Sequence, residues 1–193
     1  MRPSHTARNP LCTYDGVVSS QGAAPATERS AAKTDLDIGR DIDLVLAFLN
    51  TRDIDHGTEV LDDPPEWQRW CAEHGLAEPP DTGAARELRD AMHTAARCDT
   101  FVDTLVTPGW PIQVTLDNGV PVLTGTDALG TILVSAVRLV HTGHWDRIKI
   151  CPAEGCLWAF YDRSRNRSRT WCSMRVCGNR EKARGWRERH IAK

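Results

Sequence analysis

The 193-residue chain is 40% hydrophobic and 26% charged, with a formal net charge of −2, which suits one sizeable buried core carrying a small appended module. Its most apolar run, Ala128 to Val137, has ten residues, well short of the roughly 20 that cross a bilayer, so no membrane span is expected. The near-neutral total conceals a split: residues 141–193 hold 13 Lys+Arg against 5 Asp+Glu, a net of +8, and the rest of the chain is −10, so the C-terminal part suits a polyanion that the remainder would repel.

Residues 1–35 are rich in Ala, Ser, Thr and Pro and poor in large apolar residues. They lack the apolar core of a secretory signal and read as a disordered tail or the product of an upstream start codon, with a transit peptide as the alternative. Helical periodicity begins near Asp37, where Ile38, Ile42, Val45, Leu46 and Leu49 recur at three- and four-residue steps. Residues 53–62 are polar, contain Gly57 and read as a loop. A second helix is signalled by Asp63 as N-cap, Pro64 at the first helical position and Glu66 three after the cap. Trp67, Trp70, Cys71 and His74 line one of its faces, and Gly75 ends it. Core packing is the expected role of that face. Its aromatic character also makes Trp67, Trp70 and His74 a candidate pocket for a small ligand.

A third helix is expected from Asp81 to Leu105, with Leu88, Met92, Ala95, Val102 and Leu105 in one stripe and a stop at Pro108-Gly109. The period then changes to two. Trp110, Ile112, Val114 and Leu116 alternate up to Asp117-Asn118-Gly119, and Val120 and Val122 resume beyond it, which predicts a β-hairpin turning at Asn118-Gly119. A fourth helix, Thr126 to Thr142, is apolar on most sides and belongs at the centre of a domain. His144 to Lys149 reads as a linker. The fold class is therefore α+β and mostly helical: a body over 36–146 with one hairpin, then a small module over 147–193.

That module holds Cys151 and Cys156, then Cys172 and Cys177, each pair separated by four residues and the pairs by fifteen. Seven cysteines without an export signal point to the reducing cytoplasm, where paired cysteines are metal ligands rather than disulfides. Four thiolates complete a tetrahedral zinc site with no position left for water, so the expected ion is one structural Zn2+. Gly155 and Gly178 allow the turns that each pair needs. His141 and His144 are expected to serve the end of the fourth helix and not the metal.

Between the pairs, Leu157 to Tyr161 reads as a strand. If the next segment is extended, Arg163, Arg165, Arg167 and Arg169 share one side and match a phosphate backbone. From Asn179 to His190 a helix carries Arg180, Arg184 and Arg187 on one face, with Lys182 beside them. Ala183, Trp186 and His190 share another face, expected to pack on the zinc core. Asn179 is expected to cap the helix, with a base contact as the alternative.

Phe160-Tyr161-Asp162-Arg163-Ser164-Arg165-Asn166-Arg167-Ser168-Arg169-Thr170-Trp171-Cys172, followed by Cys177-Gly178-Asn179-Arg180 and Lys182-Ala183-Arg184, resembles the CGNR zinc-finger signature. Leu46-Ala47-Phe48-Leu49-Asn50-Thr51-Arg52 is similar to the opening of the ABATE domain that precedes such fingers. Tyr161 departs from the aliphatic residue expected there. The resemblance implies a zinc-dependent, stress-responsive bacterial transcription regulator.

Three hypotheses follow. In the first, the finger binds double-stranded DNA through Arg163, Arg165, Arg167, Arg169, Arg180, Lys182, Arg184 and Arg187, and the acidic body senses a small-molecule effector, forms a homodimer, or both. In the second, Trp158, Phe160 and Trp171 stack on unpaired bases, or the module docks on protein, without promoter recognition. The third is an enzyme, and no residue of the chain earns a catalytic role in it, so no catalysis is expected.

Overall fold

The computed structural model describes residues 28–77, 79–97, 109–110 and 112–191. Helix α1 spans Glu28–Leu49, α2 Pro64–Glu73, α3 Thr82–Arg97, α4 Ala128–His141 and α5 Asn179–Ile191. Three two-stranded antiparallel sheets join them: β1 (Arg52–Asp53) with β2 (Thr58–Glu59), β3 (Ile112–Asp117) with β4 (Val120–Gly125), and β5 (Ile148–Ile150) with β6 (Ala159–Tyr161). The class is α+β, as the sequence predicts. No described helix is long and apolar enough to cross a membrane.

Helix α1 starts nine residues before the expected Asp37. Apolar periodicity begins only at Ile38. The preceding Glu-Arg-Ser-Ala-Ala-Lys stretch has no Gly or Pro and is made largely of strong helix formers, so propensity favours the longer helix. The expected continuation of α3 through Cys98, Val102 and Leu105 lies outside the described residues, as do Cys12 and residues 1–27.

The core is where the four body helices meet. Val45, Phe48 and Leu49 of α1, Trp67 of α2, Leu88 of α3, and Leu129, Ile132 and Leu139 of α4 are all buried. Full burial of each such side chain is worth about 1.5–3 kcal/mol, so this cluster sets the stability of the body. One charged contact crosses α1 and α4: Arg138 donates through Nε to the buried Asp41 at 2.7 Å, and through Nη2 to its other oxygen.

The aromatic face of α2 is packed, not open, which corrects the ligand pocket expected at Trp67, Trp70 and His74. Trp67 is 1% exposed, stacks on Trp70 at 5.1 Å, meets Phe48 at 6.2 Å and donates its Nε1 proton to the Pro80 carbonyl. His74 stacks on the outer side of Trp70 at 4.0 Å. Burial pushes the Cys71 thiol up to about 12, which makes it inert packing. The capping box also fails: the Asp63 side chain makes no cap hydrogen bond. A capping carboxylate bonds the N–H of the second or third helical residue, and Pro65 in the second place has none.

Residues 53–62 are more ordered than a loop. Strands β1 and β2 pair for two residues and a 3-10 turn, Val60–Asp62, follows, buried through Leu61. Strands this short leave no period to read. The β3–β4 hairpin turns at Asn118 and Gly119 as predicted, with positive φ at both (50 and 82), the mark of a type I′ turn, but Val114, Leu116 and Val120 are 60–72% exposed, not packed inward. Helix α4 is capped by Asp127, whose Oδ1 accepts from the Gly130 amide at 2.7 Å.

The expected linker is not one. Ile148 and Ile150 of β5 and Ala159 of β6 belong to the same buried cluster as the helices. The side-chain amide of Asn50, at the end of α1, joins the edge of β6 as a further strand would: Nδ2 donates to the Ala159 carbonyl at 3.0 Å and Oδ1 accepts the Ala159 amide at 2.8 Å. Asn50→Ala leaves both backbone groups unpaired at this joint. It is expected to lower stability by about 1–3 kcal/mol in urea unfolding, with faster amide exchange at Ala159.

Candidate metal centre and nucleic-acid interface

The four cysteine Sγ atoms converge within 4.8 Å of one another. Individual separations are 3.5 Å for Cys172–Cys177 and 3.6 Å for Cys156–Cys172 and Cys156–Cys177. Zinc–sulfur bonds of about 2.3 Å in a tetrahedron put sulfurs about 3.8 Å apart, inside the observed range of 3.5 Å to at most 4.8 Å, so the donor set fits one zinc ion with small shifts. Cys151, Cys156 and Cys177 are buried and Cys172 is half-buried. Ala153, Phe160 and Trp171 pack around them. Without an ion, burial pushes the Cys156 thiol up to about 11 and raises Cys172 as well. A divalent cation therefore has to displace protons from this site, and four thiolates leave it closed and structural.

Each pair is shaped by local backbone. Between Cys151 and Cys156 the chain turns through Gly155 (φ 73), and the Cys156 amide returns to the Ala153 carbonyl. Between Cys172 and Cys177 it forms a π-helical turn, Met174–Gly178, capped by the Ser173 hydroxyl. Gly178 is needed for closeness rather than for turning: a Cβ there would lie 2.5 Å from Met174 Sδ and 3.1 Å from Trp171 Cδ1.

The arginine segment is a compact loop, not an extended edge. Asp162 is fully buried at its centre. Its carboxylate accepts from the Lys149 ammonium at 2.6 Å, the Ser164 amide at 2.8 Å and the Arg169 amide at 3.0 Å. Lys149 also bonds the Arg167 and Arg169 carbonyls, and Arg147 bonds those of Asp162 and Ser164. This wiring curls the segment, with Arg167 at φ 50, and it breaks the expected period of two. Arg163 and Arg165 are exposed, and Arg167 reaches Asp146 at 3.4 Å. Arg169 turns back instead: it lies 4.8 Å over the Phe160 ring and donates to the Trp171 and Cys172 carbonyls. It braces the metal loop, although it is exposed like the other three.

Helix α5 follows the π-turn without a break, so Asn179 does not cap it; its Nδ2 bonds the Arg175 carbonyl one turn back. Arg180 bonds Asp55 of the body at 3.3 Å and Cys177 Sγ at 3.5 Å. Arg184 is held by Glu181 and Glu154 at 2.6 and 3.2 Å. Lys182 and Arg187 are exposed. The face expected on the zinc core points outward: Trp186 is 56% exposed and stacks on His190, and Ala183 is exposed. His144 stays away from the metal and hydrogen-bonds the Tyr161 hydroxyl at 2.6 Å.

Sequence reasoning missed Asn50, Lys149, Asp162 and Asp55. Each acts through at least one partner 13 or more residues away, which leaves no periodic pattern. Comparison with known families returns two matches. Residues 43–143 match the ABATE model, described as "Putative stress-induced transcription regulator", and residues 147–190 match the CGNR zinc finger. Among curated proteins none matches the chain.

Proposed function

The chain belongs to the ABATE family, and from that premise we propose that it is a zinc-dependent regulator whose C-terminal finger binds double-stranded DNA and whose acidic body answers an effector, a second copy, or both. The observation that carries this reading is a zinc-anchored module bearing exposed Arg163, Arg165, Lys182 and Arg187, within a region of net +8 beside a body of net −10. Such a charge split favours one face on a polyanion and repels the other. The pairs of Arg167, Arg180 and Arg184 with Asp146, Asp55 and Glu154 are exposed. Exposed pairs are weak, and phosphates can replace the carboxylates. The metal is structural in this reading, and the chain does no chemistry of its own.

A second reading is favoured by the exposed Trp158, Met174, Val176 and Trp186, which suit unpaired bases or a protein surface. Competition among duplex DNA, single strands and duplex RNA separates the two. For the first, duplex wins, and its affinity falls about 10³-fold between roughly 50 and 200 mM salt if about six phosphates are contacted. A flat salt dependence, or preference for single strands, rejects it.

A further inference from the structure

Two cavities open on the body beside the finger. The larger, about 440 Å3, lies between the β1–β2 turn and α3. The smaller, about 190 Å3, reaches His93 of α3 and Leu157 of the finger stem. They share Arg52, Ile54, Arg89 and Asp90 as walls, so they form one groove across the junction of body and finger.

Arg89 is 1% exposed. Its Nη1 donates to Glu59 at 2.6 Å and to the Thr51 hydroxyl at 3.1 Å, and its Nε faces Asp90 at 3.4 Å. None of these bonds uses Nη2. No buried side-chain nitrogen or oxygen is left unpaired among the described residues, so Nη2 is not fully enclosed, and Arg89 lines both cavities. Arg52, on the same groove, is exposed, and its side chain forms no hydrogen bond or ion pair among the described residues. In the larger cavity Asp53 faces His56, Asp62 faces Arg86, and Glu59 and Asp90 share the single charge of Arg89. The excess of positive charge lies at the smaller cavity, where Arg52, Arg89 and Arg97 line the wall with Asp90 as its one carboxylate among the described residues, and a guanidinium edge binds planar or tetrahedral oxyanions best.

We propose that this groove is the binding site of a small ligand carrying a carboxylate or phosphate, held between Arg52 and Arg89. Its output is built into the same turn. Ile54 and Gly57 line the groove, and Asp55 between them holds Arg180 of the finger helix. Asn50, two residues before Arg52, holds the finger stem. A ligand that moves the turn changes what Arg180 offers to DNA, and by linkage DNA changes the affinity for the ligand. The output, though not the binding, rests on the regulator reading above.

The test is an NMR titration of the zinc-loaded full chain with inorganic phosphate and, separately, with succinate. The expected result is saturable shifts at the Ile54, Gly57, Thr58 and Arg89 amides, with affinity about tenfold weaker in Arg52→Gln, the loss of one charge-assisted pair. Arg52 is exposed, so this variant keeps the fold. Saturation by one anion alone supports the site and names the head group. No saturable shift with either anion, shifts confined to 163–191, or unchanged binding in Arg52→Gln overturns it. Duplex affinity measured on the same samples keeps the two claims apart. Groove binding without DNA binding rejects the regulator and leaves the site. DNA binding without groove binding does the reverse.

Discussion

Stripping zinc from the protein is expected to unfold residues 162–191 and to leave the body and the β5–β6 stem folded. Helix α5 is exposed along nearly its whole length. An isolated helix of thirteen residues is marginal in water without an apolar face to bury, and beyond the π-turn that carries Cys177 it is held by exposed ion pairs of Arg180 with Asp55 and Arg184 with Glu154, which are weak. The stem is different. Ile148, Ile150 and Ala159 sit in the main core and Asn50 pins Ala159, and neither support involves the metal. Structural zinc contributes about 10–16 kcal/mol at neutral pH, more than any other single group here. Hydrogen exchange with and without a strong chelator checks this: protection should vanish from α5 and the basic loop and persist at residues 148–150. Cys172→Ser should give the same pattern with less than one equivalent of bound zinc. Duplex affinity should fall to background in both. Retained protection along α5 in the metal-free chain would refute the assignment.

Asp162→Ala is the second large effect. The substitution removes a buried carboxylate that three loop segments share and strands the Lys149 ammonium, which is 28% exposed. A fully buried pair broken this way costs about 3–5 kcal/mol, and access to water at Lys149 lowers that to about 2–3. Zinc content should stay at one equivalent, because no cysteine is touched. Exchange should rise across residues 163–169, and DNA affinity should drop with it. Unchanged exchange in that segment would show that the loop holds its shape without Asp162. Acid separates this element from the metal. Burial alone would raise the Asp162 carboxyl, but the bonds from Lys149 and Ser164 override it and hold it well below the usual carboxylate range. A lowered carboxylate stabilises fully above its unfolded value, about 3.9, and is lost only as pH falls through the lower folded value. The thiolates take up protons and release zinc at milder acidity. Tryptophan fluorescence and zinc release followed down to about pH 4 should show the finger opening while the loop's carboxylate is still charged.

The sequence read best where the physics is local. Two cysteine pairs name a metal because ligation needs only four donors on short loops, and they meet within 4.8 Å. The apolar steps at Ile42, Val45 and Leu49 name a buried helix face because a helix repeats its own geometry. Asn118-Gly119 names a hairpin because few residues accept positive φ. Where the reading failed, the deciding contact was remote. Trp186 looked like core because it shares a stripe with Ala183, but no element among the described residues covers that side of α5 and it stays exposed. Arg169 looked like part of an extended phosphate edge, but its guanidinium turns back over Phe160 and onto the Trp171 and Cys172 carbonyls while the residue stays exposed.

By itself, then, the sequence determined the zinc donor set, the apolar faces of the body's helices, the hairpin and the separation of charge, all properties of neighbouring residues and their periods. Only the tertiary structure decided that the finger's stem is part of the body's core, that Asp162 curls the arginine loop, and that Arg52 and Arg89 line one groove beside Arg180's partner. Those outcomes depend on pairs such as Asn50 and Ala159, 109 residues apart, and chain folding brings such pairs together without leaving a repeat in either segment.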